Sequence, residues 1–246
     1  MCYQTHQIRS VKDLEQKYKV ELSNPFYGDL FNKPAFHLNG FDHPSMLIIP
    51  QQKHCVIAPG IWGIVPANKL ASGIRPYYKE SLRYGAGLNA RSEKLFNHFI
   101  YRKVVYTQRC IIPVTGFFEP HTHLKKKYPV FIQRKDGDLF SLAGIYTVIG
   151  KYVTFAILTK TANPFFAAIH NEKKRQPVLL DAQKEQLWLS NALNKSAIEA
   201  LIEAPYPADK LEAYTISKDL YKRQIDSNSP TITRPFSYPE LEGRLF

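Results

Sequence analysis

Five runs in the middle of the chain decide the fold: RCIIPV (Arg109–Val114), GFFE (Gly116–Glu119), YPVFIQR (Tyr128–Arg134), LFSLAGIY (Leu139–Tyr146) and YVTFAILTK (Tyr152–Lys160). Each is dense in β-branched or aromatic residues, which suit a pleated, half-buried surface. Turn signals separate them, the plainest being Lys135-Asp136-Gly137-Asp138. Successive strands joined by tight turns pair antiparallel. The segment therefore predicts an antiparallel sheet built from hairpins.

Outward from it, Met46–Pro50 and His54–Ala58 read as two further short strands, followed by Trp62-Gly63-Ile64-Val65-Pro66. Ser10 caps a helix carrying Val11, Leu14 and Tyr18 at helical spacing. Asn24 to Ser45 is rich in Pro, Gly, Asn and Asp and holds Phe26, Tyr27, Phe31, Phe36 and Phe41, which predicts a long loop pinned by aromatics. In Asn89-Ala90-Arg91-Ser92-Glu93, Ser92 predicts the cap of a helix with Leu95, Phe96, Phe99 and Ile100 on one face. Beyond the central strands come a short helix Ala162–Ile169, a strand Pro177–Leu180, helices Gln183–Leu189 and Ser196–Glu203, and a strand Leu211–Ile216. The Pro-rich stretch 227–246 reads as an irregular tail. No internal repeat appears. The expectation is an α+β fold, a curled, mainly antiparallel, barrel-like sheet decorated by helices, in a single domain spanning 1–246.

Composition narrows the partners. Lys+Arg of 33 against Asp+Glu of 21 gives a net charge of +12, the footprint of a protein that binds polyanions, although a merely soluble basic enzyme would share it. The 15 Tyr and 15 Phe include candidates for base stacking. No apolar run approaches the ~18 residues of a membrane span and no signal-peptide pattern opens the chain, so the expectation is a cytoplasmic protein with no membrane partner. Cys2, Cys55 and Cys110 form no CxxC or zinc-type pattern, and Cys55 and Cys110 lie in apolar runs where a buried thiol is expected. His121 and His123, beside a lysine run, read as a solvated loop, and no metal is implied.

The chemistry-bearing residue is Cys2. A small residue after Met1 favours removal of the methionine, leaving a free α-amine and a thiol on adjacent carbons. These groups titrate near ~8 and ~8.5 when unperturbed, so both are partly available near neutral pH. Such a 1,2-aminothiol closes on an aldehyde as a thiazolidine, or attacks an acyl carbon with its own amine as base. Four other positions stand out. Asn89 and Arg91, at a loop-to-helix junction, suit phosphate. Glu119, between phenylalanines and Pro120, is placed for a raised pKa and proton transfer, or for a strand-end ion pair. His170 precedes the basic stretch Lys173-Lys174-Arg175, and Trp62 is either a stacking platform or core.

The order of Cys2, Trp62–Pro66, Asn89–Glu93, Arg109–Pro113 running into Gly116–Glu119, Ala143–Tyr146 and Ile169–Asn171 resembles the SRAP family, the SOS-response-associated peptidase-like proteins that act on abasic sites. The resemblance spans Cys2 to about Leu180. It implies that mature Cys2 joins covalently, as a thiazolidine, to the aldehyde of an abasic site in single-stranded DNA, shielding the lesion from strand cleavage. It implies Glu119 as acid/base, His170 as partner in the Schiff-base step and phosphate ligand, Asn89 as orienting group, and Arg91 and Trp62 as DNA contacts. It further implies lyase-like activity and autoproteolytic loss of Met1. No cofactor is expected, since both reacting partners are already in place; single-lesion chemistry needs only a monomer, and a cytoplasmic protein that joins the nucleoid after DNA damage is expected. Tyr3 and Gln4 stand where the family usually has Gly and Arg, and Asn171–Gln176 is longer than usual, with Gln176 where methionine is common. Two other readings remain open. An N-terminal-nucleophile amidohydrolase, such as a glutamine amidotransferase domain, usually continues Cys-Gly-Ile where this chain has Tyr3-Gln4-Thr5-His6; a non-covalent basic nucleic-acid-binding protein would leave Cys2 incidental.

Overall fold

The computed structural model describes residues 2–243; Met1 and residues 244–246 lie outside them, and with them the expected loss of Met1 and the very end of the tail. The early strands are β1 (Gln4–Gln7), β2 (Glu21–Leu22), β3 (Ala35–Asn39), β4 (Ser45–Pro50), β5 (Val56–Trp62) and β6 (Asn89–Arg91). The central run supplies β7 (Arg109–Val114), β8 (Gly116–His123), β9 (Lys126–Arg134), β10 (Phe140–Ile149) and β11 (Tyr152–Thr161). Three short strands follow: β12 (Arg175–Pro177), β13 (Leu179–Leu180) and β14 (Leu211–Thr215). Among the described residues seven α-helices decorate them: α1 (Val11–Tyr18), α2 (Gly28–Phe31), α3 (Ile74–Ser81), α4 (Tyr101–Thr107), α5 (Pro164–Ile169), α6 (Ala182–Leu189) and α7 (Lys195–Glu203).

The strands form two sheets. One is antiparallel throughout, in the order β14-β9-β8-β1-β3. The other runs β12-β11-β10-β7-β4-β5-β2, with β13 on β10 and β6 on β11. A parallel pairing of Thr154 with Ile61 and Phe155 with Trp62 joins β11 back to β5. That contact closes β11-β10-β7-β4-β5 into a ring, which removes two sheet edges and accounts for the barrel-like curl.

Side-chain alternation along the strands distributes the ring's residues between two cores. Ile111, Ala143 and Ile145 join a core with helix residues Leu14, Trp188 and Ile198. Cys110, Ile112 and Leu142 join another with Phe117, Val130 and Ile132 of the five-stranded sheet. Burying each such aliphatic or aromatic side chain stabilises the fold by about 1.5–3 kcal/mol. Buried Arg109 spans the helix ends: its Nε donates to Trp188 O at 2.7 Å, its Nη1 to Val105 O at 2.6 Å and Tyr106 O at 3.0 Å, and its Nη2 to Ser190 O. One guanidinium thereby satisfies carbonyls at the C-terminal ends of α4 and α6 that the helices themselves cannot.

Four expectations change. The Asn24–Ser45 stretch is not a loop: it contains α2, short 3₁₀ turns and β3, which pairs antiparallel with β1. The anticipated helix at Ser92 is instead β6 followed by a single 3₁₀ turn, because Asn89–Arg91 pairs in parallel with Ile157–Thr159 and that ladder outweighs the capping signal. Cys55 is exposed at a turn, whereas Cys110 is buried as expected. His121 and His123 lie on β8 rather than in a solvated loop, with His121 buried. The tail is largely irregular yet anchored, since Ile232, Tyr238 and Leu241 are buried and Ile216 bridges to Pro235. Among the described residues no helix is long and apolar enough to cross a membrane.

Candidate functional site

Strand pairing brings the chain's start to Glu119. The β1–β8 ladder sets Gln4 against Phe118 and Thr5 against Phe117, so one further step faces Tyr3 toward Glu119 and puts Cys2 at the same end. Cys2 is wholly buried in the chain that still carries Met1. Its Sγ contacts Gln4 O at 3.9 Å, and its carbonyl accepts a hydrogen bond of 2.9 Å from Asn89 Nδ2. Burial, reinforced by the Glu119 charge, pushes the thiol well above its ordinary range.

Asn89 owes its place to the turn before it. Gly87 has φ +70°, and a Cβ there would fall 2.5 Å from Ile64 O, so only glycine fits without rearrangement. Leu88 O then accepts from Ile157 N–H at 3.1 Å and from the Trp62 indole at 2.9 Å. Trp62 is fully buried, roughly parallel to Phe155 with centroids 6.4 Å apart. Its faces are covered by protein, which overturns its assignment as a DNA-stacking residue: it holds the Leu88–Asn89 backbone. Among the described residues, Asn89 Oδ1 is buried without a hydrogen-bond partner, an acceptor left open beside Cys2.

Glu119 is the only carboxyl in an apolar stretch of β8 that continues to His123, so it sits within the strand rather than at its end. It is almost completely buried, and burial pushes its pKa up to about 7. His170 Nδ1 lies 3.6 Å from Glu119 Oε2 and 3.3 Å from Arg175 O. A carbonyl only accepts, so Nδ1 carries the proton and Nε2 keeps the lone pair. Burial, with Lys173 and Lys127 nearby, lowers the His170 pKa to about 4, leaving the ring neutral near pH 7.

Two contacts dock the His170 segment on β8. His121 Nδ1 lies 3.1 Å from Ala168 O and 3.2 Å from Ile169 O, and the Asn171 side chain both accepts from Thr122 N–H (3.0 Å) and donates to Thr122 O (2.8 Å). Helix α5 is fixed at its other end by Asn163, whose side chain accepts from Phe166 N–H at 3.0 Å while its own N–H donates to Gln176 Oε1 at 2.7 Å. Replacing Asn163 by Ala removes that cap and is expected to cost about 1 kcal/mol, read as a lower urea midpoint at unchanged slope. Arg91 is half-exposed, 4.0 Å from Glu93, which Arg175 grips through both guanidinium nitrogens. Asn89 and Arg91 both line an open groove of about 880 Å³.

The structure thus collects Cys2, Asn89, Glu119 and His170, sets Arg91 at the adjoining groove, and consigns Trp62 to the core. Sequence reasoning assigned no positioning role to His121 or to Asn171, which dock the His170 segment, and did not single out Tyr221, close enough for the Glu119 charge to help burial raise its hydroxyl pKa. Their contacts carry no local signal; only the packing of α5 on β8 and the folded tail reveal them.

In this α+β protein a buried cysteine, carboxyl and neutral histidine are gathered beside a groove lined mainly by cationic and aromatic residues. The chain belongs to the SRAP family, SOS response associated peptidase, whose pattern it matches over residues 1–223. It is 32% identical over 203 residues to the abasic site processing protein YoqW of Bacillus subtilis (strain 168), covering 76% of this chain and 85% of that one. Similarity to the abasic site processing protein YedK of Escherichia coli (strain K12) is 24% over 178 residues, covering 70% and 73%. A crystal structure of a protein from Bacteroides thetaiotaomicron shares the fold, with a TM-score of 0.83 and 26% identity over 96% of this chain and 100% of that one.

Proposed function

We propose that this protein captures abasic sites in single-stranded DNA by closing a thiazolidine between its mature Cys2 and the lesion's aldehyde. The observation that carries the reading is the buried Glu119, 3.6 Å from a neutral His170 and close enough for its charge to raise the Cys2 thiol. Once Met1 is gone, the α-amine of Cys2 adds to C1′ of the ring-opened sugar. The carbinolamine loses its hydroxyl as water, leaving an imine. Sγ then adds to C1′ and its proton passes to the nitrogen, so amine, thiol and aldehyde combine with net loss of one water.

Glu119, whose pKa of about 7 leaves a substantial protonated share near neutral pH, donates to the sugar ring oxygen as it opens and to the departing hydroxyl. His170 receives a proton at Nε2 and steadies the phosphate next to the lesion. Asn89 Oδ1 accepts an N–H from the amine or a hydroxyl from the sugar, and Arg91 pairs with backbone phosphate. The imine is also the branch point for lyase chemistry, because an unclosed imine eliminates the 3′ phosphate. One lesion needs only one chain, so a monomer acting on DNA in the cytoplasm suffices.

The test is the intact mass of the full chain, alone and after mixing with an oligonucleotide carrying one abasic site. The expected result is a protein beginning at Cys2 that gains the oligonucleotide's mass less one water and survives denaturant. Unchanged protein mass, or an adduct on a chain still bearing Met1, defeats the reading.

A further inference from the structure

Tyr3, the neighbour of Cys2, lines the groove that also holds Asn89 and Arg91, and the chemistry above gives it no part. Its ring lies 5.0 Å from that of Phe41, tilted by 37°. The Gly40–Asp42 turn makes this pairing possible: Gly40 N–H donates to Tyr3 O at 2.8 Å, and a Cβ on Gly40 would stand only 3.1 Å from that oxygen. Phe41 is 41% exposed, and two more aromatics lining the groove, Tyr84 and Phe99, are 77% and 66% exposed. So much uncovered aromatic surface in one concavity marks a contact site.

The groove's charge says what kind. Arg83, Arg91, Lys94 and Lys173 line it, against a single acidic lining residue among those described, Glu80. Flat aromatic faces interleaved with cations match a single-stranded polynucleotide, whose bases stack while its phosphates pair. An apolar peptide would leave four cations desolvated without partners. Consecutive Cα atoms lie about 3.8 Å apart, so Tyr3 sits within a few ångströms of the residue that holds the lesion. A residue next to Cys2 is thus on the right scale to meet the nucleotide next to the lesion.

We propose that Tyr3 and Phe41 form the platform on which the base flanking the abasic sugar stacks, with the groove's cations holding its phosphate. The inference rests on the abasic-site reading and extends it to a preference in the flanking sequence: purines, with their larger faces, are held more tightly than pyrimidines.

The probe is a single strand carrying a tetrahydrofuran, which cannot open to an aldehyde, flanked on its 5′ or its 3′ side by 2-aminopurine. Binding of the full-length protein is expected to quench fluorescence on one of the two sides. Phe41→Ala is expected to abolish the quench and weaken binding about tenfold, or about 1.4 kcal/mol, within the range of one aromatic–base stack. Phe41→Trp restores both, which separates stacking from misfolding. Undiminished quenching in Phe41→Ala, or equal wild-type affinity for flanks with and without a base, overturns the platform. Should no adduct form on any abasic strand, the thiazolidine reading fails, while the tetrahydrofuran probe still decides whether the platform exists.

Discussion

Cys2→Ser is expected to convert a strand-protecting protein into a strand-cutting one. Serine keeps the α-amine, so the imine with the abasic aldehyde still forms. Its hydroxyl is a far poorer nucleophile than the thiol, and the five-membered ring does not close to a lasting product. The imine then persists, acidifies the C2′ protons and expels the 3′ phosphate. On a denaturing gel, heat-stable adduct should fall on the order of a hundredfold, with cleaved strand rising in its place. Borohydride should trap the variant's imine as a stable conjugate and leave the wild-type product unaffected. If Cys2→Ser gives as much heat-stable adduct as wild type without reduction, sulfur has no part in the linkage.

The setting of the thiol fits that order of events. Burial and the Glu119 charge hold the thiol protonated near neutral pH, which keeps it inert to oxidants and poor as a first nucleophile. On the proposed thiazolidine route, amine attack then comes first, and the thiol is called on only when an imine, far more electrophilic than the aldehyde, stands beside it. Once the imine forms, the adjacent carbons of Cys2 keep sulfur within reach of C1′, so ring closure becomes intramolecular.

Local chemistry made the central strands readable, and non-local pairing hid the rest. The Arg109–Lys160 runs are so uniformly aliphatic and aromatic that no competing structure suits them, and all five are strands. The closure of β5 on β11 leaves no such trace, because Ile61 and Thr154 look like any strand residues until they pair. The Ala35–Asn39 strand escaped notice because only its contact with β1 favours it over the surrounding turn residues. At the site, Cys2, Asn89, Glu119 and His170 were legible as residue types whose chemistry is conspicuous. The burial of Trp62 and the strand at Asn89–Arg91 share one cause that no local pattern carries: that segment pairs onto β11, and the tryptophan supports the Leu88 carbonyl beneath it.

Glu119→Gln should cost most of the reaction rate while making the protein more stable at alkaline pH. Loss of a positioned general acid lowers rates by about 10²–10⁴-fold. The pH profile carries the finer test. Productive encounter needs Glu119 protonated, with a pKa of about 7, and the amine neutral, with an unperturbed value near ~8. Those demands oppose each other, so the wild-type rate should peak narrowly between them. In Glu119→Gln the alkaline limb should vanish, leaving a slow rate that only rises as the amine loses its proton. Stability moves the other way. Because folding lifts this carboxyl from 4.5 to about 7, its contribution is complete below pH 4.5 and is lost as the pH rises through 7, on the order of 3 kcal/mol in all. An uncharged amide suffers no such loss, so the variant's urea midpoint should match wild type near pH 4 and exceed it at pH 8. An alkaline limb that survives in Glu119→Gln would assign the acid to another group, and a variant no more stable than wild type at pH 8 would mean that the buried carboxyl ionises without penalty.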